Sequence, residues 1–184
     1  MGTNILPTKV FFVSGLGVHK HKLASFEAAL RSAGIASFNL VYVSSILPPR
    51  CEVISSEDGL KLLKPGEIVY CVMARSETNE PSRLITAAVG VAVPNDSDRH
   101  GYISEHHGYG LTSEAAGEYA EDLAATMLAT TLGIEFDPDV AWDERKQIYE
   151  ASGQIIRTHA YSVAAEGDEY GRWTTAISAA VFIA

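Results

Sequence analysis

Asn39-Leu40-Val41-Tyr42-Val43-Ser44-Ser45-Ile46-Leu47-Pro48-Pro49 is an extended apolar stretch that runs into two adjacent hydroxyls and then, after two more residues, into a pair of prolines. Proline fixes its own φ and pushes the residue before it out of the helical region, so this peptide is held extended and then made to bend. The serine pair therefore sits at a constrained strand end. Serines beside proline are also ordinary turn residues, and the dipeptide alone leaves both readings open.

A serine hydroxyl in that position has specific chemistry. It can attack the carbonyl carbon of the preceding peptide and convert the Ser44–Ser45 amide to an ester, provided the bond is strained and the developing oxyanion meets a donor. Asn39 is a candidate donor. β-Elimination would release a chain ending at Ser44 and leave dehydroalanine at position 45, which hydrolyses to a pyruvoyl group. Such a ketone condenses with an amino acid as a Schiff base and then acts as an electron sink. Decarboxylation is the natural reaction.

The rest of the sequence, from about Lys9 to its end, carries further motifs in order and in spacing. They are Phe26-Glu27-Ala28-Ala29-Leu30 followed by Ala33-Gly34-Ile35, the Asn39 to Pro49 run, Ile85-Thr86-Ala87-Ala88-Val89-Gly90-Val91-Ala92-Val93-Pro94, Gly101-Tyr102-Ile103-Ser104-Glu105, and Ala176-Ile177-Ser178-Ala179-Ala180-Val181. Together they make the chain resemble the pyruvoyl-dependent arginine decarboxylases. The resemblance implies an α+β fold, the four-layer αββα sandwich of the pyruvoyl-dependent histidine and arginine decarboxylases. It also implies self-cleavage of a single 1–184 domain into segments 1–44 and 45–184, with a covalent pyruvoyl cofactor derived from Ser45. The expected activity is conversion of L-arginine to agmatine and carbon dioxide. The expected assembly is a homotrimer or a pair of trimers with the site between neighbouring subunits, and the small-residue strand runs suit close sheet packing. Two alternatives stay open: an enzyme of the same fold acting on a different amino acid, and an uncleaved, non-catalytic paralogue in a mixed oligomer.

The resemblance assigns roles residue by residue. After decarboxylation the carbanion must be protonated on carbon by an acid that still holds its proton near neutral pH. Glu105 falls on the family's proton-donor position; partial burial at the end of its apolar segment would raise its pKa. Asn39 matches the family's asparagine six residues before the processed serine. Glu27 matches an acidic position that reaches the substrate guanidinium, but that position is associated with aspartate, and one extra methylene alters which cation fits. The Gly15-Leu16-Gly17-Val18-His19-Lys20-His21 segment departs from the family pattern, and nothing carries over onto the tract 132–150.

Composition sets the outer limits. A chain of 184 residues, 47% hydrophobic and 20% charged, is the size of one domain and can bury a sizeable core. A net charge of −9, with no basic cluster beyond Lys20-His21-Lys22, argues against nucleic acid as a partner. Cys51 and Cys71 are not in a zinc-ligand arrangement, and His19/His21 and His106/His107 lack the spacing of a metal site, so no metal is expected. Without a basic leader or an apolar run long enough to span a bilayer, the expected location is the cytoplasm rather than a membrane.

Periodicity predicts strands at 9–14, 38–43, 68–74, 84–93, 102–106, 154–163 and 173–183. The first is expected to end at the Gly15-Leu16-Gly17 turn. A helix is expected with Leu23, Phe26, Leu30 and Ala33 on its apolar face, closed by Gly34. A second begins at a Thr112 cap, carries the stripe Ala116, Tyr119, Leu123 and Met127, and ends at Gly133.

Overall fold

The computed structural model describes residues 5–135 and 137–184. The start of the chain, residues 1–4, which sequence reading inspects for a leader, lies outside the described residues. The fold is α+β. One sheet has the order β2-β5-β9-β1-β4, built from β1 (Lys9–His19), β2 (Asn39–Tyr42), β4 (Glu52–Val53), β5 (Ile68–Thr78) and β9 (Trp173–Ile183). The other has the order β3-β7-β6-β8, from β3 (Ile46–Leu47), β6 (Leu84–Pro94), β7 (Gly101–Tyr109) and β8 (Ile155–Glu166). Helices α1 (Lys22–Ser32) and α2 (Ser56–Leu62) lie against the first sheet; α3 (Ser113–Leu132) and α4 (Trp142–Ala151) lie against the second. This is the expected αββα layering.

Alternation along the strands explains the layers. On β1, Val10 and Phe12 point into the core between the sheets, with Val72, Val89, Ile103 and Phe182. Phe11 and Val13 point the other way, against Ala29, Ala33 and Ile35 under α1. A strand covered on both faces reads as a continuous apolar run, which is why 9–14 is legible as strand. Fully burying each large apolar side chain is worth about 1.5–3 kcal/mol, so these layers supply most of the drive to fold.

β1 does not stop at Gly15-Leu16-Gly17. It runs on to His19, paired with β9 through all eleven residues. The glycines are there for close approach rather than for a turn. A Cβ on Gly15 would run into the Ala29 carbonyl, and one on Gly17 into the Ser25 carbonyl, so α1 can lie directly on the strand. The same device recurs across the molecule, where a Cβ on Gly90 of β6 would strike the backbone of Ala120 in α3.

Close contact also reassigns the helix faces. In α3 the buried face is Ala116, Ala120, Ala124 and Leu128, whereas Tyr119 of the expected stripe is 55% exposed. In α1 the buried residues are Ser25 and Ala29, and Leu23 is 76% exposed. Small side chains face the sheets because the helices sit too near for large ones. Both predicted caps are present: the Thr112 hydroxyl accepts from Ala115 N, and Gly133 takes the left-handed conformation with φ 70°.

Two helices have no counterpart among the expected elements. α2 is capped by Ser55, whose hydroxyl accepts from Asp58 N. α4 has almost no apolar period; Arg145 pairs with Asp122 and Lys146 with Glu121 of α3, the latter at 3.0 Å, while Tyr149 fills the gap below.

Replacing Gly90 by alanine should force β6 and α3 apart and cost about 1–3 kcal/mol. A calorimetric melting temperature unchanged by Gly90→Ala would show that α3 is not seated on the glycine as described.

Candidate active site

The chain passes from one sheet to the other at the serine pair. Val43 N donates to Cys71 O at 3.0 Å, continuing β2 along β5 in the first sheet. Two residues later Ser45 O accepts from Ile103 N at 2.8 Å, which begins the pairing of β3 with β7 in the second. Ser44 alone spans the gap. The Ser44–Ser45 peptide is thus tied to a different sheet on each side, and Ile46 N donates back to Ser44 O at 3.0 Å.

Register brings Glu105 to the same place. β3 and β7 pair as Ile46↔Tyr102 and Leu47↔Gly101, so antiparallel pairing sets Ser45 opposite Ile103. Ile103 and Glu105 share one face of β7, and diagonal neighbours of this kind lie about 7–8 Å apart, within reach of a long side chain. His106 points to the opposite face, where its ring packs on Tyr119 of α3 at 4.5 Å. His106 and His107, adjacent in the strand, therefore point to opposite faces.

Glu105 is exposed, so the partial burial expected for it is absent from the single chain. Its carboxylate nevertheless acts on its surroundings. Burial first, and then the charge of Glu105, push the Cys71 thiol up to about 12. Burial is also the main cause raising the Tyr42 phenol, followed by Cys71; Arg75 pulls it the other way, and Glu105 adds to the rise. Tyr42, whose hydroxyl donates to Met73 Sδ at 3.1 Å, is a neighbour of the site that sequence reading did not single out.

Two other expected site residues lie elsewhere in the chain. Asn39 starts β2 opposite Ile68, and its amide Nδ2 donates to Gly66 O at 2.7 Å. Six residues of chain, spanning at most about 20 Å, separate it from Ser45. In the single chain the Asn39 amide is engaged with Gly66 O rather than with the Ser44 carbonyl. Glu27 is exposed on α1 and pairs with Arg31 at 2.6 Å. It borders a shallow depression of about 500 Å³ with His19, Ala24 and Ser32. Through Gly17, which packs under α1 and pairs with Thr175, that depression lies level with Glu77, at the far end of β5 from Asn39.

A cleft of about 380 Å³ opens beside Ser44, walled by Ile5, Val43, Ile46, Pro48, Tyr70 and Phe182. It contains no carboxylate, and neither Glu105 nor Glu27 lines it. Within one chain the Ser44–Ser45 bond, Glu105 and Glu27 are thus divided among separate surfaces.

The residues fit a pyruvoyl group in one respect that can be read directly. Ser45 sits at a strand end with the preceding Ser44 carbonyl already accepting a hydrogen bond, and Glu105 lies diagonally across on the neighbouring strand. Comparison with known proteins agrees. A profile of the pyruvoyl-dependent arginine decarboxylase family matches residues 9–184. The pyruvoyl-dependent arginine decarboxylase of Methanococcoides burtonii is 62% identical over 179 residues, covering 97% of this chain and 99% of its own. A probable enzyme of the same name from Chlorobaculum tepidum is 62% identical over 180 residues, covering 98% and 99%. Pyruvoyl-dependent arginine decarboxylase 2 of Methanosarcina acetivorans is 58% identical over 179 residues, covering 97% and 98%. With its two-sheet sandwich and its serine crossover, the chain belongs to the pyruvoyl-dependent arginine decarboxylase family.

Proposed function

We propose that this chain cleaves itself between Ser44 and Ser45, giving segments 1–44 and 45–184, and decarboxylates L-arginine to agmatine and carbon dioxide. The observation that carries the reading is the crossover peptide, tied to both sheets at the serine pair with Glu105 diagonally across on the same face. The pyruvoyl group left at position 45 supplies an electrophilic ketone that withdraws electrons from the substrate α-carbon. Glu105 holds the proton that is returned to that carbon. Glu27 grips the guanidinium, exchanging its Arg31 partner for the substrate. Asn39 positions rather than reacts, because its bond to Gly66 O anchors the strand that delivers the serines.

The same reading makes the working enzyme a homotrimer, alone or as a pair of trimers. Beyond Cys71 the free edge of β5, and beyond Ile103 the free edge of β7, have no strand beside them among the described residues. Exposed Tyr42, Val43 and Ile46 lie at the start of that corner. A different apolar surface, with Leu16, Val18 and Leu23 exposed, lies at the end of β1 and the start of α1, close to Glu27. Two unlike surfaces meeting head to tail close into a ring, and here the contact brings a neighbour's Glu27 toward Ser45 and Glu105. Burial by the neighbour would also remove Glu105 from water. Cys51 and Cys71 are both free, which suits the cytoplasm. Among the described residues no helix is long and apolar enough to cross a membrane.

Denaturing mass spectrometry of the purified protein should show two chains divided after Ser44, and Ser45→Ala should give one inactive chain; a full-length wild-type chain with an ordinary serine and full activity would end the reading. Asn39→Ala should leave a larger uncleaved fraction in the same assay, and complete cleavage at the wild-type rate would remove its positioning role. Glu105→Gln should process yet lose about 10²–10⁴-fold in turnover. Co-expressed with Glu27→Gln, it should regain activity in mixed trimers, since some sites then combine one intact residue from each subunit. No recovery in mixed oligomers, each variant alone being inactive, would place Glu27 outside a shared site.

A further inference from the structure

We propose that the backbone N–H of Ile46 is the oxyanion donor for cleavage of the Ser44–Ser45 bond, an inference that rests on the self-cleavage reading above. Ile46 N donates to Ser44 O at 3.0 Å, and Ser44 O belongs to the carbonyl that Ser45 Oγ attacks. A bond from residue i+2 back to residue i closes a three-residue turn centred on Ser45. Ser45 is not among the residues of positive φ, so this is the common inverse form found at strand ends.

The turn is fixed from both sides. Val43 is tied to Cys71 in one sheet and Ser45 O to Ile103 in the other, so the turn has little freedom to open. The Ile46 N–H plays no part in the β3–β7 ladder, whose bond at this point runs from Ile103 N to Ser45 O. It serves the Ser44 carbonyl alone. Among the described residues neither the Ser45 hydroxyl nor the Ser45 N–H makes a hydrogen bond, leaving the nucleophile free to rotate and the leaving nitrogen free to take a proton.

The step balances without another reactant. The Oγ–C bond forms as Oγ loses its proton, and negative charge gathers on Ser44 O, where the Ile46 N–H holds it. Collapse breaks the C–N bond, the nitrogen takes a proton, and the amide has become its ester isomer with a free amine on Ser45. No side chain has to travel to the bond.

The test is a semisynthetic full-length chain in which residue 46 enters as the α-hydroxy analogue of isoleucine, so that the N–H becomes an ester oxygen. After refolding, intact mass is followed with time beside an all-amide chain made in the same way. Loss of one oxyanion donor should slow cleavage by about 10²–10³-fold. Ile46→Ala, which keeps the N–H, should cleave at close to the unsubstituted rate, and Ile46→Pro, a recombinant chain without that N–H, should remain intact. Cleavage at the unsubstituted rate in either the α-hydroxy or the proline chain overturns the assignment. An all-amide chain that folds, assembles and never cleaves would instead overturn the self-cleavage reading itself.

Discussion

The structure depends on one constraint, the passage of a single peptide between two sheets. β2 belongs to the first sheet through β5, and β3 to the second through β7, with only Ser44 between the last bond of one and the first of the other. Sheets packed face to face stand about 10 Å apart, so one residue can bridge them only where the edges converge and the backbone turns sharply. The Pro48-Pro49 stop ends the second strand after two residues, and Arg50 follows in a left-handed conformation with φ 57°. The chain therefore has no length in which to relax the crossover.

That constraint accounts for what sequence could and could not show. The strands largely buried on both faces, β1, β5, β6 and β9, are legible because they are long runs of mostly apolar or small residues. Ser45 and Glu105 are legible as a pair only through the family resemblance, since 60 residues of sequence separate them and only the β3–β7 register brings them together. The helix faces were misread for a physical reason. Hydrophobicity places Tyr119 and Leu23 inside, but α1 and α3 approach the sheets over glycine and alanine, and the space there excludes large side chains. α4 was missed because its attachment is ionic, through Arg145 and Lys146, and leaves no apolar period to read. The Ser55-to-Asp58 spacing was a readable cap for α2, though a helix of seven residues offers little else. The Ile46 donor could not have been found from sequence, because it is a backbone group that any residue but proline would supply.

Dispersal of the site within one chain has an electrostatic rationale. The proton-donor role proposed for Glu105 needs a dry setting, and in the single chain Glu105 stands exposed on an open sheet edge. Glu27, if it were beside Glu105 in the same chain, would set two carboxylates together before any cation arrived to separate them. In the proposed trimer, holding Glu27 on α1 with Arg31 would avoid that repulsion until the neighbouring surface arrives.

Cutting the backbone at position 44 should also leave the fold standing, and the topology shows why. Segment 1–44 contributes β1, α1 and β2, and β1 lies between β9 and β4 rather than at an edge. It keeps eleven paired positions with β9, and its Val10, Phe11, Phe12 and Val13 are buried on both sides. At about 1.5–3 kcal/mol for each large apolar side chain, the contacts across the cut outweigh what one peptide bond contributed as a tether. The cut also falls where the bond is the sole covalent link between the two sheets at that edge, so release of the crossover relaxes the turn without unpairing either strand. If the chain is cut there as proposed, the break lies at a sheet edge and the severed piece is held from its centre, with β1 the element that would do the holding.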